Sequence, residues 1–248
     1  MIAFGRTDKG IVRKDNQDQF QIAELEDDKL LIAVVCDGMG GAQAGNVASK
    51  LATETFVKAL SGQPSALLDD DLANDALRDA LMAANRVVYE TAKEQKGCRG
   101  MGTTLVGAVL RKKDAHWKAD IINVGDSRAY HISAGKMTQV TRDHSLVEDM
   151  VIRGDITRDE ALCHPNRNLI TRVVGTTPDV ACDFFEVDLK EGDYLLFCSD
   201  GLTNLVRDEE LCEEILHHSD LEECCEMLIT LALAKGGSDN VTVLMIGI

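Results

Sequence analysis

Five aspartates stand at the ends of strand-like runs. Asp18 precedes the run 20–25, and Asp37 follows the run 30–36. Asp126 follows 121–124 after one glycine, Asp200 follows 194–199, and Asp239 precedes 241–248. Taken singly, an aspartate beside glycine is most simply a turn residue. Taken together, the set reads differently. A plain Asp-Gly hairpin turn leads at once into another strand, whereas Asp37 and Asp200 lead into loops and helical patterns. Their flanks, VVCDGMGG and LLFCSDGL, repeat one design: an apolar strand, a cysteine, then a carboxylate at the strand mouth. Carboxylates gathered at one end of a sheet either take up protons or require a cation. An all-oxygen donor set suits Mg²⁺ or Mn²⁺ rather than zinc. Arg13, five residues before Asp18, would either neutralise such a cluster or hold an anionic substrate through its two-pronged guanidinium. Gly38, Gly40 and Gly41 permit close backbone approach. The lysine of a phosphate-binding G-x-x-x-x-G-K-[ST] loop is missing, however, so nucleotide binding is not expected.

The elements that would carry these residues follow from periodicity. Strand-like runs cover 20–25, 30–36, 103–111, 117–124, 128–133, 136–140, 181–188, 193–199 and 241–248. Asp114 and Gly135 stand where hairpin turns would join neighbouring runs. Ala48, Leu51, Ala52, Thr55, Phe56, Ala59 and Leu60 form one helical face, and Ala73, Leu77, Ala80, Leu81, Ala84, Val87, Val88 and Thr91 form a second, with a stop expected at Gly97. Two further helices are expected, one capped by Asp208 and one by Ser219 or Asp220. Between 141 and 178 the apolar pattern lapses, apart from a capping-box signature, Thr157-x-x-Glu160. This part reads as a mobile, partly helical surface segment. Hairpin-length links make the sheets mainly antiparallel. The predicted fold class is α+β: a central two-sheet sandwich flanked by helix pairs, in one domain spanning 1–248.

Composition narrows the partners. With 26 Lys and Arg against 42 Asp and Glu, the 248-residue chain carries a net charge of −16. That disfavours nucleic acid and anionic membrane surfaces, both of which select for basic residues. No apolar run approaches the ~18 residues of a membrane span. MIAFGRTDKG lacks a basic region followed by an apolar stretch, so no signal peptide is expected. None of the eight cysteines forms a C-x-x-C pair. Reduced thiols in a cytoplasmic protein are the expectation.

The ordered blocks VRKDNQD (12–18), VVCDGMGG (34–41), MGTTL (101–105), NVGDSRAY (123–130), FCSDGL (197–202) and SDNVTV (238–243) resemble the type-2C, metal-dependent serine/threonine protein phosphatases, in their compact bacterial form. The resemblance implies hydrolysis of phosphoserine and phosphothreonine in proteins, opposing a serine/threonine kinase, by a monomer holding two Mn²⁺ or Mg²⁺ ions and a possible third. By position it implies that Asp37 bridges two metals, that the Gly38 carbonyl binds one of them, and that Asp200 and Asp239 bind the other. Asp18 would act through water, Asp126 would help hold the third ion, and Arg13 would grip the substrate phosphate. The segment 145–175 matches the family's variable flap. Two cations would acidify a water enough to supply hydroxide near neutral pH, with no cysteine or serine nucleophile.

Three departures stand out. Gln17 replaces the usual glutamate, and Ala42 and Asn46 replace a histidine and a glutamate. Protonation of the leaving group would then fall to water on the metals or to His144. A non-catalytic binding module of the same fold, or a phosphatase of a signalling protein outside kinase cascades, remain alternatives at this point.

Overall fold

The computed structural model describes residues 1–248 apart from 27–28, 42–43, 114–115 and 219. The expected turn at Asp114, the cap at Ser219 and the departure at Ala42 lie outside the described residues.

Two antiparallel sheets form the centre. One runs in the order β1 (Ile2–Asp8), β11 (Val241–Gly247), β10 (Tyr194–Cys198), β7 (Arg128–Ser133) and β8 (Lys136–Gln139). The other runs β2 (Asp18–Leu25), β3 (Leu30–Met39), β5 (Leu105–Lys113), β6 (His116–Val124) and β9 (Asp183–Leu189), with the short β4 (Gly102–Thr103) paired to the end of β3. Alternation decides the faces. Leu31, Ala33 and Val35 of β3 point between the sheets, against Phe197, Leu244 and Ile246 of the other sheet. Leu30, Ile32 and Val34 point outward onto helices. Strands buried on both faces explain why 30–36 is an unbroken apolar run rather than an alternating one.

Each outer face carries a helix pair. α1 (Ala44–Ser61) and α3 (Ala73–Glu94), with the short α2 (Pro64–Leu68) between them, lay Ala48, Ala52, Phe56, Leu77, Leu81 and Val88 on the six-stranded sheet. α7 (Asp208–His217) and α8 (Leu221–Ala234) lay Leu211, Ile215, Cys225 and Leu228 on the other sheet, beyond the single turn α6 (Asp200–Thr203). The predicted α+β sandwich with flanking helix pairs is what the chain forms.

Several boundaries differ from expectation. β1 has no counterpart in the sequence reading, because IAFGRTD is an edge strand with little burial to impose a pattern. Asp208 is the first residue of α7 rather than its cap; Arg207 holds the capping position, and its N–H donates to Glu210 Oε2 at 3.2 Å. Asp220 does cap α8, its Oδ1 accepting from the N–H groups of Glu222 and Glu223 at 2.8 and 3.0 Å. α3 ends at Glu94, before the expected Gly97, because a 3₁₀ turn, Lys96–Cys98, follows. The segment 145–175 contains α4 (Leu146–Arg153) and α5 (Arg158–Leu162), and α5 has the Thr157–Glu160 capping box foreseen for it. Backbone bonds fasten both of its ends: Leu146 N–H to Leu169 O at 2.9 Å, Thr171 N–H to His144 O at 2.7 Å, and a bridge between Thr103 and Val174.

Candidate metal centre

All five aspartates come together at one end of the sandwich, at the seam between the two sheets. Asp18 opens β2 and lies directly opposite Asp37 of β3 in the register. Asp126 sits in the link from β6 to β7, where the chain crosses from one sheet to the other. Asp200 starts α6 after β10, and Asp239 leads into β11. Asp18 and Asp126 are buried, while Asp37, Asp200 and Asp239 are half-buried.

Backbone and hydroxyl groups fix the cluster. Asp37 N–H donates to Thr104 Oγ1 at 2.9 Å, and its carbonyl accepts from Thr103 Oγ1 and Thr104 N–H, both at 2.8 Å. Thr104 Oγ1 is 2.7 Å from Ser127 Oγ, so the Asp37 strand and the Asp126 link share one hydroxyl chain. Asp18 Oδ2 accepts from Ser199 Oγ and from Thr242 Oγ1, each at 2.7 Å. Both donors belong to the opposite sheet or its exit. Gly38 could be nothing larger: a Cβ there would overlap the Gly45 carbonyl and come within 2.6 Å of the Gln17 carbonyl. Gly45 is equally confined, its absent Cβ lying 2.6 Å from Gly38 O.

Electrostatics identify what the cluster lacks. Burial, then repulsion from Asp18, Asp200, Asp126 and Asp239, pushes the Asp37 carboxyl well above the ordinary range. Burial pushes Asp18 up to about 7, against the two hydroxyl bonds that favour its charge. Asp126 and Asp200 are also raised, by burial first and by neighbouring carboxylates next. The Oδ1 atoms of Asp18, Asp126 and Asp200 are buried without a hydrogen-bond partner. Buried lone pairs without donors are costly. A hard divalent cation answers both the charge and the missing partners, so these residues fit Mg²⁺ or Mn²⁺. Among the described residues no three acidic, histidine or cysteine side chains close around a single point.

Arg13 reaches the cluster from the link between β1 and β2. Its Nη2 donates to Asp239 Oδ2 at 2.7 Å, and this bond is the main cause of its raised pKa. About half of the side chain stays exposed, 54% by area, so part of the guanidinium still faces solvent. Asn240 holds this link in place. Its Nδ2 donates to Lys9 O at 2.8 Å and to Asp15 O at 3.0 Å, and its Oδ1 accepts from Gln17 N–H at 2.8 Å.

His144, the other candidate for a proton-transfer role, is buried and committed. Its Nδ1 accepts from Gly125 N–H at 3.1 Å, and its Nε2 lies 3.2 Å from Asp183, which also receives Arg172 at 2.7 Å. Burial lowers its pKa, and the Asp183 bond only partly opposes that. It orients the link that carries Asp126 and joins it to the base of the 145–175 segment. Asn46, in the first turn of α1, accepts from Gln19 Nε2 at 3.3 Å. Ser199, Thr242, Asn240, Thr104 and Gly45 are site residues that the sequence reading did not single out. A hydroxyl or amide at a strand end carries no periodic signal. Only the adjacency Asp239–Asn240 could have pointed to one of them.

Comparison with known proteins agrees with this geometry. The family described as protein phosphatase 2C matches residues 11–230. The serine/threonine phosphatase stp of Listeria innocua is 38% identical over 241 residues, covering 97% of this chain and 93% of that protein. The serine/threonine protein phosphatase PstP of Mycobacterium tuberculosis is 36% identical over 243 residues, 97% of this chain but 43% of the longer protein. The crystal structure of the serine/threonine phosphatase Stp1 from Staphylococcus aureus superposes with a TM-score of 0.91 at 38% identity, over 99% of this chain and 94% of that one. Sequence and fold agree along nearly the whole length: the chain belongs to the protein phosphatase 2C family.

Proposed function

We propose that this chain is a protein serine/threonine phosphatase that removes phosphate from phosphoserine and phosphothreonine with two Mn²⁺ or Mg²⁺ ions. The observation that carries the reading is the set of partnerless buried oxygens on Asp18, Asp126 and Asp200, gathered with Asp37 and Asp239 beside Arg13. In the proposed assignment Asp37 would serve both ions, the Gly38 carbonyl would serve one, and Asp200 and Asp239 would serve the other. Asp18 would act through water, and Asp126 would help hold a third, weaker ion. Bound cations supply Lewis acidity, which acidifies water and offsets charge on the transferred phosphoryl group. Arg13 orients the phosphate by charge-assisted donation. Thr103, Thr104 and Ser199 keep the carboxylates in place without reorganisation during the reaction. Neither thiol at the strand mouths takes part: burial pushes Cys36 and Cys198 up to about 12 and keeps them protonated.

The whole chain acts as one catalytic unit, and the 145–175 segment lies as a flap that bears on substrate choice. Its substrates are phosphorylated proteins, and the enzyme it opposes is a serine/threonine kinase. It works as a monomer in the cytoplasm, with neither nucleic acid nor membrane as a partner. A non-catalytic module of the same fold would have no use for a cluster that is costly without cations. The test is turnover of phosphoserine and phosphothreonine peptides with Mn²⁺, its loss in EDTA, and its loss in Asp37→Asn. Full turnover without metal or in Asp37→Asn overturns the reading.

A further inference from the structure

A cavity of about 230 Å³ opens between the last turns of α3 and the end of the 145–175 segment, lined by Tyr89, Lys93, Arg99, Gly100, Met101 and Thr176 among others. No carboxylate lines it, although the chain as a whole carries 42 acidic residues against 26 basic ones. The Lys93 ammonium rests over the Tyr89 ring, 4.3 Å from its centre, which holds the cation at one place on the wall. Among the described residues neither Lys93 nor Arg99 makes an ion pair. Lys93 also lies in the last turn of α3, where a cation complements the helix dipole. That contact explains one base at the helix end. It does not explain a second cation, Arg99, on the same wall.

The cavity's position gives it a use. Met101 leads into β4, where Gly102 pairs with Met39 and Thr103 with Gly38. A Cβ on Gly40 would lie 3.2 Å from Met101 Cα, so the wall abuts the loop that follows Asp37. On the other side, Gly175 and Thr176 follow Val174, which is bridged to Thr103 at the base of the flap. The cavity therefore adjoins both the loop that follows Asp37 and the end of the 145–175 segment, the side on which the flank of a bound phosphopeptide is proposed to lie.

We infer that Lys93 and Arg99 form an anion subsite for a carboxylate or phosphate side chain of the phosphoprotein substrate, near the residue being dephosphorylated. The inference rests on the phosphatase reading above. On a surface this acidic, an anionic substrate residue is repelled except where cations gather. The subsite thus turns net repulsion into selection.

The experiment compares wild type with the Lys93→Ala/Arg99→Ala double variant on three substrates in Mn²⁺. They are p-nitrophenyl phosphate, a phosphothreonine peptide with neutral flanks, and the same peptide with glutamates on either side. The variant should keep its kcat/KM on the first two within about twofold. On the acidic peptide it should lose roughly three- to thirtyfold, a loss that shrinks with added salt, as for two partly exposed charge contacts. An equal acidic-to-neutral ratio in both proteins overturns the subsite and leaves the phosphatase reading standing. No wild-type turnover of any of the three substrates overturns the phosphatase reading, and the subsite with it.

Discussion

Replacing Arg13 by alanine should separate substrate capture from metal binding. One nitrogen, Nη2, is spent on Asp239 at 2.7 Å, but a guanidinium has five N–H donors, and just over half of this side chain faces solvent. The remaining donors can offer a phosphate two parallel charge-assisted bonds. Such bonds contribute about 1.5–3 kcal/mol, which is roughly one to two decades in kcat/KM. The exposure places the expected loss nearer one decade, since water competes at the rim. The pairing with Asp239 adds a second expectation. Arg13 already partly neutralises a proposed metal-binding carboxylate, so its removal frees that carboxylate. An exposed ion pair accounts for ~0.2–1 kcal/mol, so metal affinity should hold or tighten by up to about fivefold. Arg13→Lys should recover part of the catalytic loss, because ammonium keeps the charge but not the fork. Steady-state kinetics on a phosphopeptide, with a Mn²⁺ titration followed calorimetrically on the same preparations, measures both quantities. Wild-type kcat/KM in Arg13→Ala, or metal affinity weakened tenfold with KM intact, would refute this account.

Other consequences are as direct. Because burial lifts Asp18 to about 7 from 3.8, the metal-free fold binds more protons than the unfolded chain between those values. The contribution of Asp18 to stability is then fully present below about pH 4 and is lost as pH rises through about 7. Melting curves in EDTA should show that fall, more shallow in Asp18→Asn and reversed by Mn²⁺; equal slopes in the two proteins contradict it. Gly38→Ala forces a Cβ against the Gly45 and Gln17 carbonyls and should cost about 1–3 kcal/mol of stability, together with metal affinity, read by thermal melts and metal titration. Asn240→Ala strands the Lys9 and Asp15 carbonyls and the Gln17 N–H. It should lower stability by about 1–3 kcal/mol and raise KM much as Arg13→Ala does; an unchanged KM would mean that the link holds without it. Alkylating the accessible thiols of the folded protein should leave turnover nearly intact, and trapping a phosphocysteine would disprove the metal-dependent route.

The carboxylates were legible because each sits where an apolar run stops, and a charge at the mouth of a buried strand stands out against its neighbours. The sandwich was legible for the same reason, since strands such as 30–36 and 241–248 are apolar on both faces. β1 escaped because its edge position buries little. The start of α1 escaped because Ala44, Gly45 and Asn46 are too small or too polar to mark a face. The groups that hold the aspartates lay beyond reach for a different reason. Ser199 and Thr242 meet Asp18 across 181 and 224 residues of chain, and a contact formed only by closing two sheets leaves no local trace. His144 shows the limit from the other side: its type suggested chemistry, and only its two committed ring nitrogens assign it to support.

Because Asp18 is gripped by hydroxyls from across the seam, and Asp126 lies on the crossing between the sheets, no single sheet contains a working centre. The site comes into being when the two halves of the sandwich close in register, and a partly folded chain holds only fragments of it. Turnover therefore counts correctly assembled molecules. In a library of core variants, specific activity per milligram would report the fraction that has closed, while the intrinsic rate of each closed molecule stays constant. A burial mutation far from the phosphate would appear as fewer enzymes, and a mutation at the seam as slower ones.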